Sequence, residues 1–134
     1  MFERTMVIIT WAFTVLLTFA FVGDGLAKLL TLPVMVQEFR TFGYPLWSMY
    51  AVGAIEVACS LLVLVPRFAH ICAGIFACLM VGALFAHHVH GQNSLIVAPS
   101  LLLLLALAVG TLRAWGRPDP FAWSAQIDRP NELG

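Results

Sequence analysis

Asp24, Lys28, Glu56, His87, His88 and His90 are ionisable side chains set inside or at the ends of long apolar runs. Their spacing limits the chemistry they could do. Asp24 and Lys28 are four residues apart, acid before base, which puts them on one helix face as an ion pair. Such a pair can neutralise itself at a membrane interface, with Lys28 snorkelling outward, or Lys28 can offer its cation to a ligand while Asp24 holds it. Glu56 lies eleven residues past Pro45, with Gly53, Cys59 and Ser60 as small neighbours and Val52 filling part of one side. A lone carboxyl in that setting is either a proton-exchanging group or a hydrogen-bonding link between helices. His87 and His90 share a face at i, i+3, whereas His88 points about 100° away from His87. Two imidazoles with a carboxylate such as Asp24 are ordinary metal ligands, but no H-E-x-x-H spacing occurs, so no metal is expected. Hydrogen bonding or proton handling at His87, the deepest of the three, is the expected role. His70 reads as a plain interfacial residue.

Four apolar stretches must position these groups: about 6–30, 45–65, 68–88 and 95–112. Each is close to the roughly 20 residues that a helix needs to cross a bilayer core of about 30 Å. Between the first two, Met35, Phe39 and Phe42 recur at helical spacing, with Gln37, Glu38 and Thr41 on the other side. This segment, begun by Pro33 and ended by Gly43, predicts a short helix lying in the interface. The other connections, Pro66-Arg67 and Gly91 to Ser94, are short enough to force antiparallel neighbours. Gly74, Cys78, Gly82 and Ala86 follow at i, i+4 and predict close helix approach along the third span. Pro99 is expected to bend the fourth span and to free the carbonyl of Leu95.

Composition agrees with a membrane protein. The chain has 134 residues, 61% hydrophobic and 10% charged, with 7 Lys+Arg against 7 Asp+Glu, and a mean hydropathy of +0.94. A soluble domain carries about 25% charged residues, so a water-soluble globule is excluded. Without a basic run there is no electrostatic footprint for nucleic acid, and so apolar a chain is not disordered. Cys59, Cys72 and Cys78 are odd in number, lack C-x-x-C spacing and read as packing residues. The first apolar run is too long for a signal peptide h-region and reads as an uncleaved span. Of the 7 Lys+Arg, only Lys28 and Arg40 fall on one side in a four-span reading; Arg4, Arg67, Arg113, Arg117 and Arg129 fall on the other, which puts both termini in the cytoplasm. Trp47 and Trp115 sit near span ends, as interfacial residues do. Asp24, Lys28, Glu56, His87 and His90 then converge on the non-cytoplasmic half, where they predict an outward-opening polar pocket.

These residues also carry a family resemblance. Gly23-Asp24-Gly25-Leu26-Ala27-Lys28-Leu29, the run Phe39-Arg40-Thr41-Phe42-Gly43-Tyr44-Pro45, Gly53-Ala54-Ile55-Glu56, and Ala86-His87 together resemble the DoxX-like membrane proteins over roughly residues 6–112. The resemblance implies a four-helix membrane bundle, with Lys28, Gly43, Pro45, Glu56 and His87 at its matching positions. Some members are small membrane subunits of a thiosulfate:quinone oxidoreductase, others are linked to quinone or thiol redox defence, and animal members assist receptor assembly.

The sequence therefore predicts an all-α integral membrane four-helix bundle over residues 1–112 with an interfacial helix between spans one and two, then a polar cytoplasmic tail over 113–134. Glu56, His87, Lys28, Asp24 and His90 are the candidate ligand-binding or proton-exchange residues. A bacterial inner membrane fits the cation bias and the resemblance. With no flavin, haem or iron–sulfur motif in the chain, redox chemistry would come from a bound quinone or from a membrane or soluble partner protein. A self-contained enzyme is not expected. The alternative is a non-catalytic interaction or assembly subunit; a homodimer is compatible with either.

Overall fold

The computed structural model describes residues 2–115, with side chains from Arg4 onward. Five helices follow in order: α1 (Phe2–Leu29), α2 (Pro33–Thr41), α3 (Leu46–Leu62), α4 (Ala69–Val89) and α5 (Val97–Trp115), with a single 3-10 turn at Asn93–Leu95. No strand occurs among the described residues. The polar tail expected from residue 113 begins inside α5, and Arg117, Arg129 and everything past Trp115 lie outside the described residues.

Three helices are long and apolar enough to cross a membrane, over Arg4–Leu29, Ala69–Val89 and Asn93–Trp115. The fourth expected span, α3, is an apolar helix of 17 residues, about 25 Å long at 1.5 Å per residue. Only 17% of the α1 span is buried inside the bundle. Phe19, Leu16, Phe85 and Leu104 face outward, as hydrocarbon-solvated helices require. Hydroxyls in α1 are satisfied locally: Thr10, Thr14 and Thr18 each donate to the carbonyl four residues earlier, at 2.8, 2.6 and 2.9 Å. That leaves none of these three hydroxyls stranded in lipid.

α1 packs along α3 and α4 along α5, while α3 and α4, though consecutive in the chain, touch each other far less. The apolar core fills the half of the bundle that holds the α3–α4 link. Leu17 and Phe21 of α1 meet Cys59 and Val63 at the α3 end, Phe76 of α4, and Ala106 and Val109 of α5. The Phe21 and Phe76 rings stack at 3.9 Å. Near the start of α1, the Arg113 guanidinium lies 4.4 Å over the Trp11 ring and donates to the Thr14 hydroxyl at 3.2 Å.

α2 leaves α1 through Thr31, at φ 54°, and ends at Gly43, at φ 72°. The two left-handed residues turn the chain sharply on either side of α2. Phe39 is buried beneath it, which matches the apolar side read from Met35, Phe39 and Phe42.

Two expectations are corrected. Pro99 does not bend a span: α5 begins at Val97, so Pro99 sits in its first turn, where a missing N–H costs nothing, and Leu95 belongs to the 3-10 turn. The stripe of small residues on α4 is not where helices meet closely, because a Cβ added at Gly74 or Gly82 would touch nothing within 4 Å. Closest approach lies between α1 and α3. A Cβ at Gly25 would stand 2.8 Å from the Gly53 carbonyl oxygen, and one at Gly53 would stand 2.8 Å from the Gly25 oxygen. Gly25→Ala or Gly53→Ala is expected to lower stability by about 1–3 kcal/mol through overpacking, whereas Gly74→Ala and Gly82→Ala stay within about 0.5 kcal/mol. Thermal unfolding of the four variants in one detergent checks the contrast.

Candidate functional site

The close contact at Gly25 and Gly53 sets the polar centre. Helical side chains lean toward the N-terminus of their own helix. α1 and α3 are antiparallel, so Lys28 on α1 and Glu56 on α3 lean toward each other past the two glycines. Lys28 Nζ donates to both Glu56 oxygens, at 2.9 and 3.2 Å, and to Asp24 Oδ2 at 2.5 Å. Lys28 and Glu56 are buried, and the Asp24 side chain keeps 27% of its exposure. One cation thus bridges two carboxylates and ties α1 to α3. The i, i+4 pair was legible in the sequence; the partner of Glu56 was not, because it comes from another helix.

The second polar group is built around His87, also buried, in the last turn of α4. Its Nε2 lies 3.1 Å from Glu38 Oε1 of α2, and its Nδ1 lies 3.0 Å from Gln92 Oε1 in the turn after α4. Phe42 presents an edge to the ring at 5.1 Å and 85°. These contacts pin α2 to the end of α4. The sequence pattern puts Glu38 on the side of α2 opposite Met35, Phe39 and Phe42, and Gln92 in a short connection, and neither position points to His87. The one available signal was that Glu38 precedes the buried Phe39 on a helix with two unlike faces.

His90 takes a different position. Its Nδ1 lies 2.8 Å from the Ala86 carbonyl and its ring packs beside Phe42, so it closes the last turn of α4. His88 is exposed. Among the described residues no cluster of three or more His, Cys, Asp or Glu side chains gathers as metal ligands would.

Between α3 and α4, where the two helix pairs part, lies a half-open cleft of about 870 Å³. Its floor carries Asp24, Lys28 and Glu56; Glu38, His87 and Gln92 line its wall beneath α2. Most of the remaining lining is apolar, with Val52, Leu79, Met80 and Leu102 among it. Cys78, Gly82 and Ala86, three of the four small residues noted on α4, border this cleft, where they leave space. Of the five candidate residues, Asp24, Lys28, Glu56 and His87 share the cleft, and His90 stands outside its lining.

The model of the DoxX-like family matches residues 12–109, which include every group on the cleft floor and His87. The chain belongs to the DoxX-like family. It is also 32% identical to YdgD of Bacillus subtilis (strain 168), described as an uncharacterized protein, over 91 residues that make up 65% of this chain and 80% of that one. No solved structure matches significantly. The DoxX-like chain described here is accordingly a membrane protein with an all-α helical bundle.

Removing one partner from a buried ion group strands the others. Lys28→Met, which leaves two carboxylates facing each other, is expected to cost about 3–5 kcal/mol. Lys28→Met combined with Glu56→Gln should recover a large part of that loss. Denaturation of the two single variants and the double variant gives the coupling directly.

Proposed function

We propose that the cleft binds a quinone-like or other amphipathic small molecule, as part of a membrane redox system in which this chain is a subunit and not a complete enzyme. The observation that carries this reading is the cleft itself: it joins a largely apolar wall to a buried charged floor. A volume of about 870 Å³ lies in the range of sites that hold small molecules. Glu56 and His87 are the proton-exchanging candidates, and Asp24 is the floor carboxylate with residual exposure. In a cell inner membrane, with the termini cytoplasmic as the cation bias suggests, the cleft would open toward the outer face and receive a partner protein there.

One observation favours a second reading. The hydrogen bonds of Lys28 go to Asp24 and Glu56 within the bundle, so the same ion group would serve a non-catalytic assembly subunit as a lock between α1 and α3.

Native mass spectrometry of the protein extracted from its own membrane separates the two. A stoichiometric amphiphile that is retained by the wild type and lost from Glu56→Gln and His87→Ala, with both variants still folded, is the expected result. A ligand present at about 100 times its Kd should also raise wild-type stability by about 2.7 kcal/mol, and the variants should lose that increment. A stoichiometric protein partner with no small molecule would favour the assembly subunit.

A further inference from the structure

Resting on the ligand-site reading above, the hydrogen-bond inventory of the cleft floor restricts what can bind there. A lysine ammonium has three N–H donors and no acceptor. Lys28 directs Nζ at three carboxylate oxygens, Asp24 Oδ2 and Glu56 Oε1 and Oε2, at 2.5, 3.2 and 2.9 Å. The two Glu56 oxygens lie too close together to take one N–H each, so they share a donor and Asp24 takes another; the ammonium, its side chain 8% exposed, is flanked by two carboxylates, and the floor holds two carboxylates to one cation. Most of the capacity left on the floor is acceptor capacity, because a charged carboxylate only accepts and each of its oxygens has two lone pairs, whereas the single ammonium has one N–H beyond those it gives to Asp24 and Glu56. Asp24 holds Lys28 through Oδ2 while its side chain stays partly exposed, so acceptor capacity reaches into the cleft. On the wall, Glu38 adds another carboxylate, held through one oxygen by His87. Groups able to donate also stand off the floor: the Gln92 amide on the wall beneath α2, and the Gln37 amide, the Tyr44 hydroxyl and the Trp47 indole N–H on exposed residues.

We infer that the cleft selects amphiphiles whose buried head donates a hydrogen bond, such as a hydroquinone or an alkylphenol, over the same molecules with that donor removed. A carbonyl or ether oxygen brought to the floor would exchange its water hydrogen bonds mostly for carboxylate lone pairs, and an anion would meet two carboxylates against one ammonium. A hydroxyl head gains a charge-assisted bond to Asp24 instead. A quinone couple would accordingly bind better reduced than oxidised.

The test compares matched probes on the full-length protein in lipid nanodiscs, under argon. 4-Decylphenol is set against 4-decylanisole, which differs by the methyl that replaces the donor proton, and reduced decylubiquinone against its oxidised form. Each hydroxylated probe is expected to bind about tenfold or more tighter than its partner. In Asp24→Asn, whose side chain can donate as well as accept, that ratio should fall toward one. Equal binding within both pairs, or an undiminished preference in Asp24→Asn, overturns the inference and leaves the ligand site standing. Failure of all four probes to bind overturns the ligand site and the inference together.

Discussion

A lysine ammonium in a hydrocarbon setting has to be given counter-charge and hydrogen bonds by the protein itself, because no water is there to supply them. Much of this structure follows from meeting that demand at Lys28. Asp24 supplies one oxygen from a turn earlier in α1, and Glu56 supplies two from α3. At the same level α1 and α3 come within backbone contact, which Gly25 and Gly53 permit by carrying no Cβ. Once α1 and α3 are joined so closely at that level, α4 and α5 form the other pair, and the space between the pairs becomes the cleft.

The polar and apolar halves of the bundle have separate tasks. Around Phe21 and Phe76, aromatic stacking and small residues such as Ala73 and Ala106 close the helices over a dry core. The other half holds the ion group and the His87 contacts, and is spanned by α2; Glu38 of α2 and Phe42 just past its end both reach the end of α4. Stability concentrated in one half leaves the other free to carry unlike groups around an open volume.

How much of this was legible in the sequence depended on the range of the interaction concerned. The spans, the interfacial helix and the Asp24–Lys28 pair are local patterns with helical periodicity, and the helices fall within a few residues of the expected bounds. The Lys28–Glu56 and His87–Glu38 pairs connect residues distant in the chain, and no periodicity reports them. The small residues misled for a related reason. Gly74 and Gly82 form a regular series, whereas the decisive glycines, Gly25 and Gly53, are single residues on two different helices and match only when those helices are docked. Pro99 is disruptive only in a helix that starts at about Leu95; with the start at Val97 it is an ordinary first-turn proline.

The shortness of α3 reaches beyond the protein. α1 has 28 residues, about 42 Å of helix, while the adjacent α3 has 17, about 25 Å. A bilayer with a core of about 30 Å is thus met by helices of unequal length on neighbouring flanks. A long helix such as α1 meets that core by tilting, whereas beside the shorter α3 the lipid thins or flanking residues snorkel, and each ångström of mismatch costs a fraction of a kcal/mol. This asymmetry favours a bilayer that is thinner beside α3 than beside α1, on the flank where α3 borders the cleft.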